Sequence, residues 1–507
     1  MASESRAASL WQALHRWHLA GAFIAGAVLN LAFAPFSWWP LAILAPAALF
    51  TLLRRLPPHA AARCGAAFGV GLFSFGTYWL FTAIHTFGLA PVWLTLVLQA
   101  SLIALMAAYP ALLGYVANRF WSSGALRNWL VLPALWVLLD WLRSWALSGF
   151  PWLGLGYAFI DSPLAGWAPL FGVFGVTAAA AWSAAAISTL LQGPLTAKCW
   201  IAPVAVIAAI FIAPLILSRI SWTHNIADPF QVAVVQGAVS QDQKWLETNR
   251  EETIGRYSTL TSQAWGARLI VWPEAALPAL ADDLTDYLEA LQTLGRAHHA
   301  DFAIGLVNHD PQSGAYYNGV RVISASGNGW YYKRHLVPFG EYFPVPNFVR
   351  SWMRLMSLPY DDMTAGSEDQ PILSAAGQKL GLTICYEDAY GSAQLRVLPQ
   401  ATLLINVTNK AWYGNSTAPL QHLQIARMRA LEAGRYLIRA ANDGVTAVIG
   451  PQGQIMARLP QFQESVLRTT VQPMEGLTPY ARLGNYPVIG GALLLLFVAI
   501  ARRRRSA

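Results

Sequence analysis

Eight apolar runs divide this chain and restrict its fold more than any other feature. They cover about residues 18–34, 38–53, 64–86, 91–115, 128–147, 166–191, 200–218 and 485–501. A run of roughly 20 apolar residues is long enough to cross the hydrocarbon core of a bilayer as a helix. Inside that core each backbone N–H and C=O needs a partner within the segment, which a helix supplies. The expected organisation is an N-terminal membrane domain over 1–219 with seven spans, a globular domain over 220–484, and a last span with a basic tail over 485–507. The first two runs are separated only by Pro35-Phe36-Ser37-Trp38-Trp39-Pro40, which reads as a turn with aromatics at the membrane interface. The first run does not read as a cleaved signal peptide, because the next follows at once.

Composition agrees. The chain is 55% hydrophobic and only 12% charged, with a mean hydropathy of +0.39. That is too apolar for an ordinary soluble protein of this length. The net charge of +8 does not point to nucleic acid, since many basic residues sit in short loops between apolar runs.

Those loops set the orientation. One alternating set holds Arg6 and Arg16, then Arg54, Arg55 and Arg63, then Arg119 and Arg127, then Lys198, and last Arg502, Arg503, Arg504 and Arg505. The other set, near 35–40, 87–90 and 148–165, has neither Lys nor Arg. Basic loops stay on the cytoplasmic side. Both termini are therefore expected there, with the globular domain on the opposite face, which in a bacterium is the periplasmic or outer face.

Asp140 and Arg143 are spaced for one helix face and can pair. They read either as an interfacial ion pair or as a functional intramembrane charge. Asp161 follows the apolar, turn-rich loop Gly149-Phe150-Pro151-Trp152-Leu153-Gly154-Leu155-Gly156-Tyr157. That loop reads as an element near a lipid entrance or as one lying along the membrane.

Between the spans, Phe230–Gln236 reads as a buried strand. Further strands are expected over 268–272, 302–307, 318–324, 329–333, 379–384, 402–407, 436–440, 445–450 and 465–471. Helical patterns fall near 246–264, 281–299 and 418–434. Strands alternating with helices predict a layered α/β domain.

The reactive candidates sit at the ends of these strands. Three cysteines, Cys64, Cys199 and Cys385, make no disulfide framework. Cys64 and Cys199 open apolar runs and read as inert. Cys385 ends the run Lys379-Leu380-Gly381-Leu382-Thr383-Ile384 and is followed by Tyr386-Glu387-Asp388. Glu274 closes Leu269-Ile270-Val271-Trp272-Pro273, and Lys333 follows Tyr331-Tyr332. A thiol is weakly ionised at neutral pH, with an ordinary pKa of about 8.5. A carboxylate that takes its proton makes it a nucleophile. A lysine beside it steadies the oxyanion of a tetrahedral intermediate. The three types together suffice for acyl transfer through a thioester.

The ordered Glu-Lys-Cys set resembles the nitrilase (carbon–nitrogen hydrolase) superfamily, whose fold is an αββα sandwich. The stretches Val271-Trp272-Pro273-Glu274, Lys333-Arg334-His335-Leu336-Val337-Pro338-Phe339-Gly340-Glu341-Tyr342 and Cys385-Tyr386-Glu387 are similar to its membrane-integral branch, the apolipoprotein N-acyltransferases of Gram-negative bacteria. So are Gln421-His422-Leu423-Gln424 and Gly149-Phe150-Pro151-Trp152. The resemblance implies Glu274 as general base, Lys333 as oxyanion stabiliser and Cys385 as nucleophile. Glu341, Tyr386 and Glu387 would support them, and Trp245 and Trp412 would lie on the substrate side. It implies a phospholipid acyl donor, phosphatidylethanolamine, and a diacylated apolipoprotein acceptor, with one chain as the working unit. No metal or organic cofactor is implied, because the thioester stores the acyl energy. One departure concerns Lys410. Where relatives usually read Asn-Asp, this chain reads Asn409-Lys410-Ala411-Trp412-Tyr413-Gly414.

Two other readings stay open on the residues alone. One is a membrane-tethered amidase hydrolysing a carbon–nitrogen bond. The other is a transporter or lipoprotein-binding scaffold with a degenerate domain. The segment Ser351-Trp352-Met353-Arg354-Leu355-Met356-Ser357-Leu358-Pro359 reads as a mobile lid or as core packing.

Overall fold

The computed structural model describes residues 17–192, 197–342 and 362–506. The lid candidate at 351–359 lies outside them. Two compact units emerge. One comprises the chain up to Ser221 together with Asn415–Gln424 and the residues from Arg482 on; the other comprises Trp222–Gly414 and Ile425–Ala481.

The first unit is helical. Its helices are His18–Leu29, Leu41–Leu52, Pro58–Gly76, Val92–Phe120, Leu132–Arg143, Ala168–Gln192, Ala197–Leu217 and Tyr486–Ser506. Each expected apolar run thus contains helix. Among the described residues, however, only four helical stretches are long and apolar enough to cross a membrane: Val92–Phe120, Pro163–Gln192, Cys199–Leu217 and Tyr486–Arg504. The structure therefore supports a membrane domain without establishing eight crossings. The shortfall has local causes. The run at 38–53 yields a helix of 12 residues. The run at 64–86 breaks after Gly76 and resumes only as a π-helical turn, Thr82–Phe87. The run at 128–147 is entered through another such turn, Arg127–Val131, and its helix stops at Arg143.

Small residues let these helices approach closely, as apolar side chains have little reason to associate in lipid. A Cβ added at Gly65 would lie 2.0 Å from the Pro110 carbonyl oxygen, and one at Gly114 would lie 2.4 Å from that of Ala61. The helices Pro58–Gly76 and Val92–Phe120 are thus in backbone contact from both sides.

Arg143 and Asp140 form an ion pair whose side chains are 5% and 9% exposed. Arg143 also donates to the Trp152 carbonyl at 2.7 Å, and Trp152 Nε1 donates to Gln421 Oε1 at 2.7 Å. The Trp152 ring lies 5.4 Å from His422. Two motifs far apart in sequence therefore meet, with Arg143 behind them. Residues 151–160 are all buried within the unit. Arg143 and Gln421 satisfy polar groups of this loop there. Asp161 is exposed.

The second unit is built on β-structure. A short β1 (Thr223–Asn225) leads into β2 (Phe230–Gln236), β3 (Leu269–Trp272), β4 (Asp301–Asp310), β5 (Ala315–Ile323) and β6 (Gly329–Tyr332). There follow β7 (Leu373–Ala375), β8 (Gln378–Ile384), β9 (Leu403–Thr408), β10 (Leu437–Ala441), β11 (Ala447–Ile449) and β12 (Ile455–Arg458). Last come β13 (Ser465–Val471) and β14 (Met474–Gly476). One six-stranded sheet has the order β13-β2-β3-β4-β5-β6 and the other β12-β11-β10-β9-β8-β7, while β1 pairs with β14. Each sheet holds a parallel triple, β2-β3-β4 in one and β8-β9-β10 in the other, flanked by antiparallel strands.

Successive side chains of a strand point to opposite faces, and both faces of the first sheet are apolar. Val232, Val234, Leu269 and Val271 join Leu382, Ile384, Ile405 and Val407 in a layer shared by the two sheets. On the opposite face, Val235, Ile270, Trp272 and Phe302 pack with Tyr257 and Leu260 from the helix Arg250–Ala264 and with Leu291 from the helix Thr285–His298. Two sheets face to face, with helices on the outer face of the first, give a layered α/β domain as the strand–helix alternation predicts.

Candidate active site

Three chain segments deliver the candidate residues, each just beyond a strand. Glu274 follows β3. Room for its turn comes from Gly305 in β4, where an added Cβ would lie 2.3 Å from the Pro273 carbonyl oxygen. Ala275, next in the chain, has a φ of +43°. Lys333 follows β6, and its N–H donates to the Asn318 carbonyl at 2.8 Å. Cys385 follows β8 and opens the 3-10 turn Cys385–Ala389. Its φ is +51°, a left-handed conformation uncommon for a residue with a side chain. The turn is braced from both sides. Ile384 N–H donates to Glu387 Oε2 at 2.7 Å, and Asn406 Nδ2 donates to the Cys385 carbonyl at 3.2 Å.

The side chains converge. Lys333 Nζ donates to Glu341 Oε1 at 2.7 Å and to Glu274 Oε1 at 3.4 Å. Asn318 Nδ2 lies 2.8 Å from Glu274 Oε1 and 2.9 Å from Glu341 Oε1. Asn409 N–H donates to Glu274 Oε2 at 2.7 Å. The next residue, Lys410, donates from Nζ to Cys385 Sγ at 3.7 Å. Two neighbouring residues after β9 thus touch the carboxylate and the thiol. Glu274, Lys333, Cys385 and Lys410 are all buried.

This charge pattern suits proton transfer. Burial alone would push the Glu274 carboxyl up, but Lys333, Asn318, Asn409 N–H and Lys410 outweigh it and hold it below the usual carboxylate range. Lys333 is pulled down by burial but driven well above the usual lysine range by Glu341 and Glu274. Burial and the Glu274 charge push the Cys385 thiol up, against the opposing pull of Lys410 and Lys333. At neutral pH the site therefore holds an ionised carboxylate, an ammonium and a thiol, the starting state for general-base activation.

Glu387 ties two of the segments together. It accepts Ile384 N–H on one oxygen, and Arg334 N–H and His335 N–H on the other at 2.6 and 3.2 Å. Tyr331 OH donates to it at 3.0 Å. Glu341 Oε2 accepts Val337 N–H at 2.8 Å. The Tyr386 ring packs edge-on against Tyr390 at 5.1 Å.

Trp245 and Trp412 are 51% and 37% exposed. Trp245 lies one residue past the buried Lys244, whose Nζ donates to the Glu274 carbonyl at 3.4 Å. Lys244 carried no signal in the sequence beyond its place beside that tryptophan. Cys64, Cys199 and Cys385 are all free thiols, and Cys199 is exposed.

Residues 25–186 match the apolipoprotein N-acyltransferase N-terminal domain, and residues 231–480 match the carbon-nitrogen hydrolase family. The chain is 40% identical to the apolipoprotein N-acyltransferase of Methylococcus capsulatus over 96% of each chain. It is 41% identical to that of Azotobacter vinelandii over 95% of each. The chain belongs to the apolipoprotein N-acyltransferase family. Among solved structures, it is similar to Saccharomyces cerevisiae Nit3, a member of branch 10 of the nitrilase superfamily, with a TM-score of 0.37 and 18% identity over 49% of this chain and 92% of that one.

In this N-acyltransferase chain, several residues at the centre of the site escaped sequence reasoning. Asn318 sits inside a strand whose alternation predicts only a strand. Asn406 lies near the end of β9, and Arg439 on β10 donates to Asn406 Oδ1 at 2.8 Å and to Asp388 Oδ2 at 3.3 Å. The one available signal was their type. Uncharged amides and an arginine in otherwise apolar strands must find partners when buried.

Proposed function

We propose that the chain moves a fatty acyl group from a phospholipid to the α-amine of a diacylglyceryl-modified N-terminal cysteine, in two steps through a thioester on Cys385. The observation that carries this reading is the bracketing of Glu274 and Cys385 by the adjacent residues Asn409 and Lys410, with Lys333 on the same carboxylate. Glu274 takes the thiol proton, and the sulfur attacks an ester carbonyl. Lys333 steadies the oxyanion. The lysophospholipid alcohol leaves with the proton from Glu274. The amine then attacks the thioester and gives a proton to Glu274, and as the C–S bond breaks and the amide forms that proton returns to the sulfur. Glu341 and Glu387 hold Lys333 and the Cys385 turn in place, while Tyr386, Trp245 and Trp412 border the substrate path. Excluding water from the thioester separates transfer from hydrolysis.

The donor in this proposal is phosphatidylethanolamine through its sn-1 acyl chain, and the working unit is one chain. Both follow the family resemblance. The proposed domains, drawn from the positions of the apolar runs, are 1–219, 220–484 and 485–507. The proposed topology has eight crossings, both termini in the cytoplasm and the catalytic domain on the periplasmic face of the inner membrane. It rests on the alternation of basic and uncharged loops.

The test supplies phospholipid labelled in its acyl chain, then a diacylated peptide. Label should appear on Cys385 first and on the peptide second. Transfer by a Cys385→Ala variant would overturn the proposal. A labelled thioester that only water discharges would favour the amidase reading.

A further inference from the structure

Two buried lysines flank the candidate thiol, and their hydrogen bonds divide the work. Those of Lys333 run to the carboxylates of Glu341 and Glu274. One from Lys410 runs to the sulfur, at 3.7 Å. The Lys410 side chain is 2% exposed. Space for its stem is left by Gly444, where an added Cβ would lie 3.0 Å from Lys410 Cβ. Its ammonium sits 5.1 Å from the centre of the Tyr413 ring, within the range of a cation–π contact. Burying an ammonium is costly unless partners compensate. The fold thus accommodates a costly cation beside the one sulfur the reaction uses.

We propose that Lys410 is a second catalytic cation, which holds the Cys385 sulfur as its proton leaves for Glu274. The inference rests on the reading of Cys385 as nucleophile. The S–H bond breaks and the proton goes to a Glu274 oxygen. Lys410 keeps its own protons and faces the thiolate while the new S–C bond forms. The ester C–O bond then breaks, and the departing alkoxide recovers the proton from Glu274. Lys333 is left to serve the oxyanion, Lys410 the sulfur. Burial holds Lys410 below the usual lysine range, and the Cys385 charge works against that pull. The ammonium is thereby strengthened as the thiolate forms.

The experiment measures iodoacetamide alkylation of Cys385, read by the mass of its peptide, on the full chain in detergent from about pH 5 to pH 9. The variants are Lys410→Met and Lys410→Arg. Other groups acting on the thiol or on Lys410 are Glu274, Lys333, Asp388, Tyr413 and Arg439, and all stay unchanged. Lys410→Met should alkylate about tenfold more slowly at neutral pH, with its profile displaced to higher pH, as expected for losing a charged partner. Lys410→Arg, which keeps the charge, should restore most of the rate. A wild-type profile in Lys410→Met overturns the inference. An equal loss in both variants overturns it too, because charge would then not be the cause. Alkylation does not depend on acyl transfer, so failure of the nucleophile reading would show separately, as transfer by Cys385→Ala.

Discussion

Glu387 accepts the backbone N–H of Arg334 at 2.6 Å. Through that bond the turn that begins at Cys385 holds the stretch that follows Lys333. Glu387→Gln replaces one acceptor oxygen with an NH2 group facing N–H donors, so a bond is lost and a repulsion gained. Hydrogen bonds to a charged group are worth about 1.5–3 kcal/mol, so thioester formation should slow by about 10–100-fold. Single-turnover labelling of Cys385 from phospholipid measures this. An unchanged rate would show that the bracket is dispensable.

The pH dependence should follow Glu274. Its carboxyl is held below the usual range in the folded chain. Its contribution to stability is therefore present above the ordinary carboxylate pKa and is lost as pH falls through the folded value. The proposed base role of Glu274 needs the same ionised form, so the acid limb of kcat/KM should lie below the usual carboxylate range. Asn318→Leu removes a donor 2.8 Å from Glu274 Oε1 and should move that limb upward. Profiles of the first half-reaction for both proteins decide it. Coincident acid limbs would count against Glu274 as the base.

The membrane helices offer a contrast between two glycines. Gly65→Leu must displace the Pro110 backbone, since even a Cβ would lie 2.0 Å from its oxygen. Overpacking of this kind costs about 1–3 kcal/mol. The apparent Tm of the detergent-solubilised chain should fall by several degrees. A Cβ at Gly490 meets nothing within 4 Å, and Gly490→Ala should leave Tm unchanged. Equal Tm values for the two variants would mean the close approach is not what holds these helices.

Local pattern carried much of this into the sequence. The run Phe230–Gln236 is a strand end to end, and the expected strand at 379–384 is β8, Gln378–Ile384. Both are β-branched or apolar runs bounded by polar residues, which define strands without outside help. Glu274, Lys333 and Cys385 stood out because each lies just past such a run. The shorter strands β7 and β12 went unseen, since Leu373–Ala375 and Ile455–Arg458 owe their conformation to a neighbouring strand. The same holds within the site. Asn318 meets Glu274 across 44 residues and Lys410 meets Cys385 across 25, and no window along the chain records such meetings. How long each apolar run stays helical is hidden for a related reason. Apolar composition marks a run, but the breaks at Gly76 and Arg143 decide how much of it is one straight helix.

The shared apolar layer has a consequence for how damage to this protein would show itself. Glu274 and Lys333 hang from one sheet and Cys385 from the other, and Val271 and Ile384 lie in the layer between them. Turnover is then a gauge of how tightly two half-domains are clasped. A small loosening of that clasp would separate base from sulfur while every strand kept its hydrogen bonds. Inactive yet well-folded variants should therefore cluster in this greasy seam.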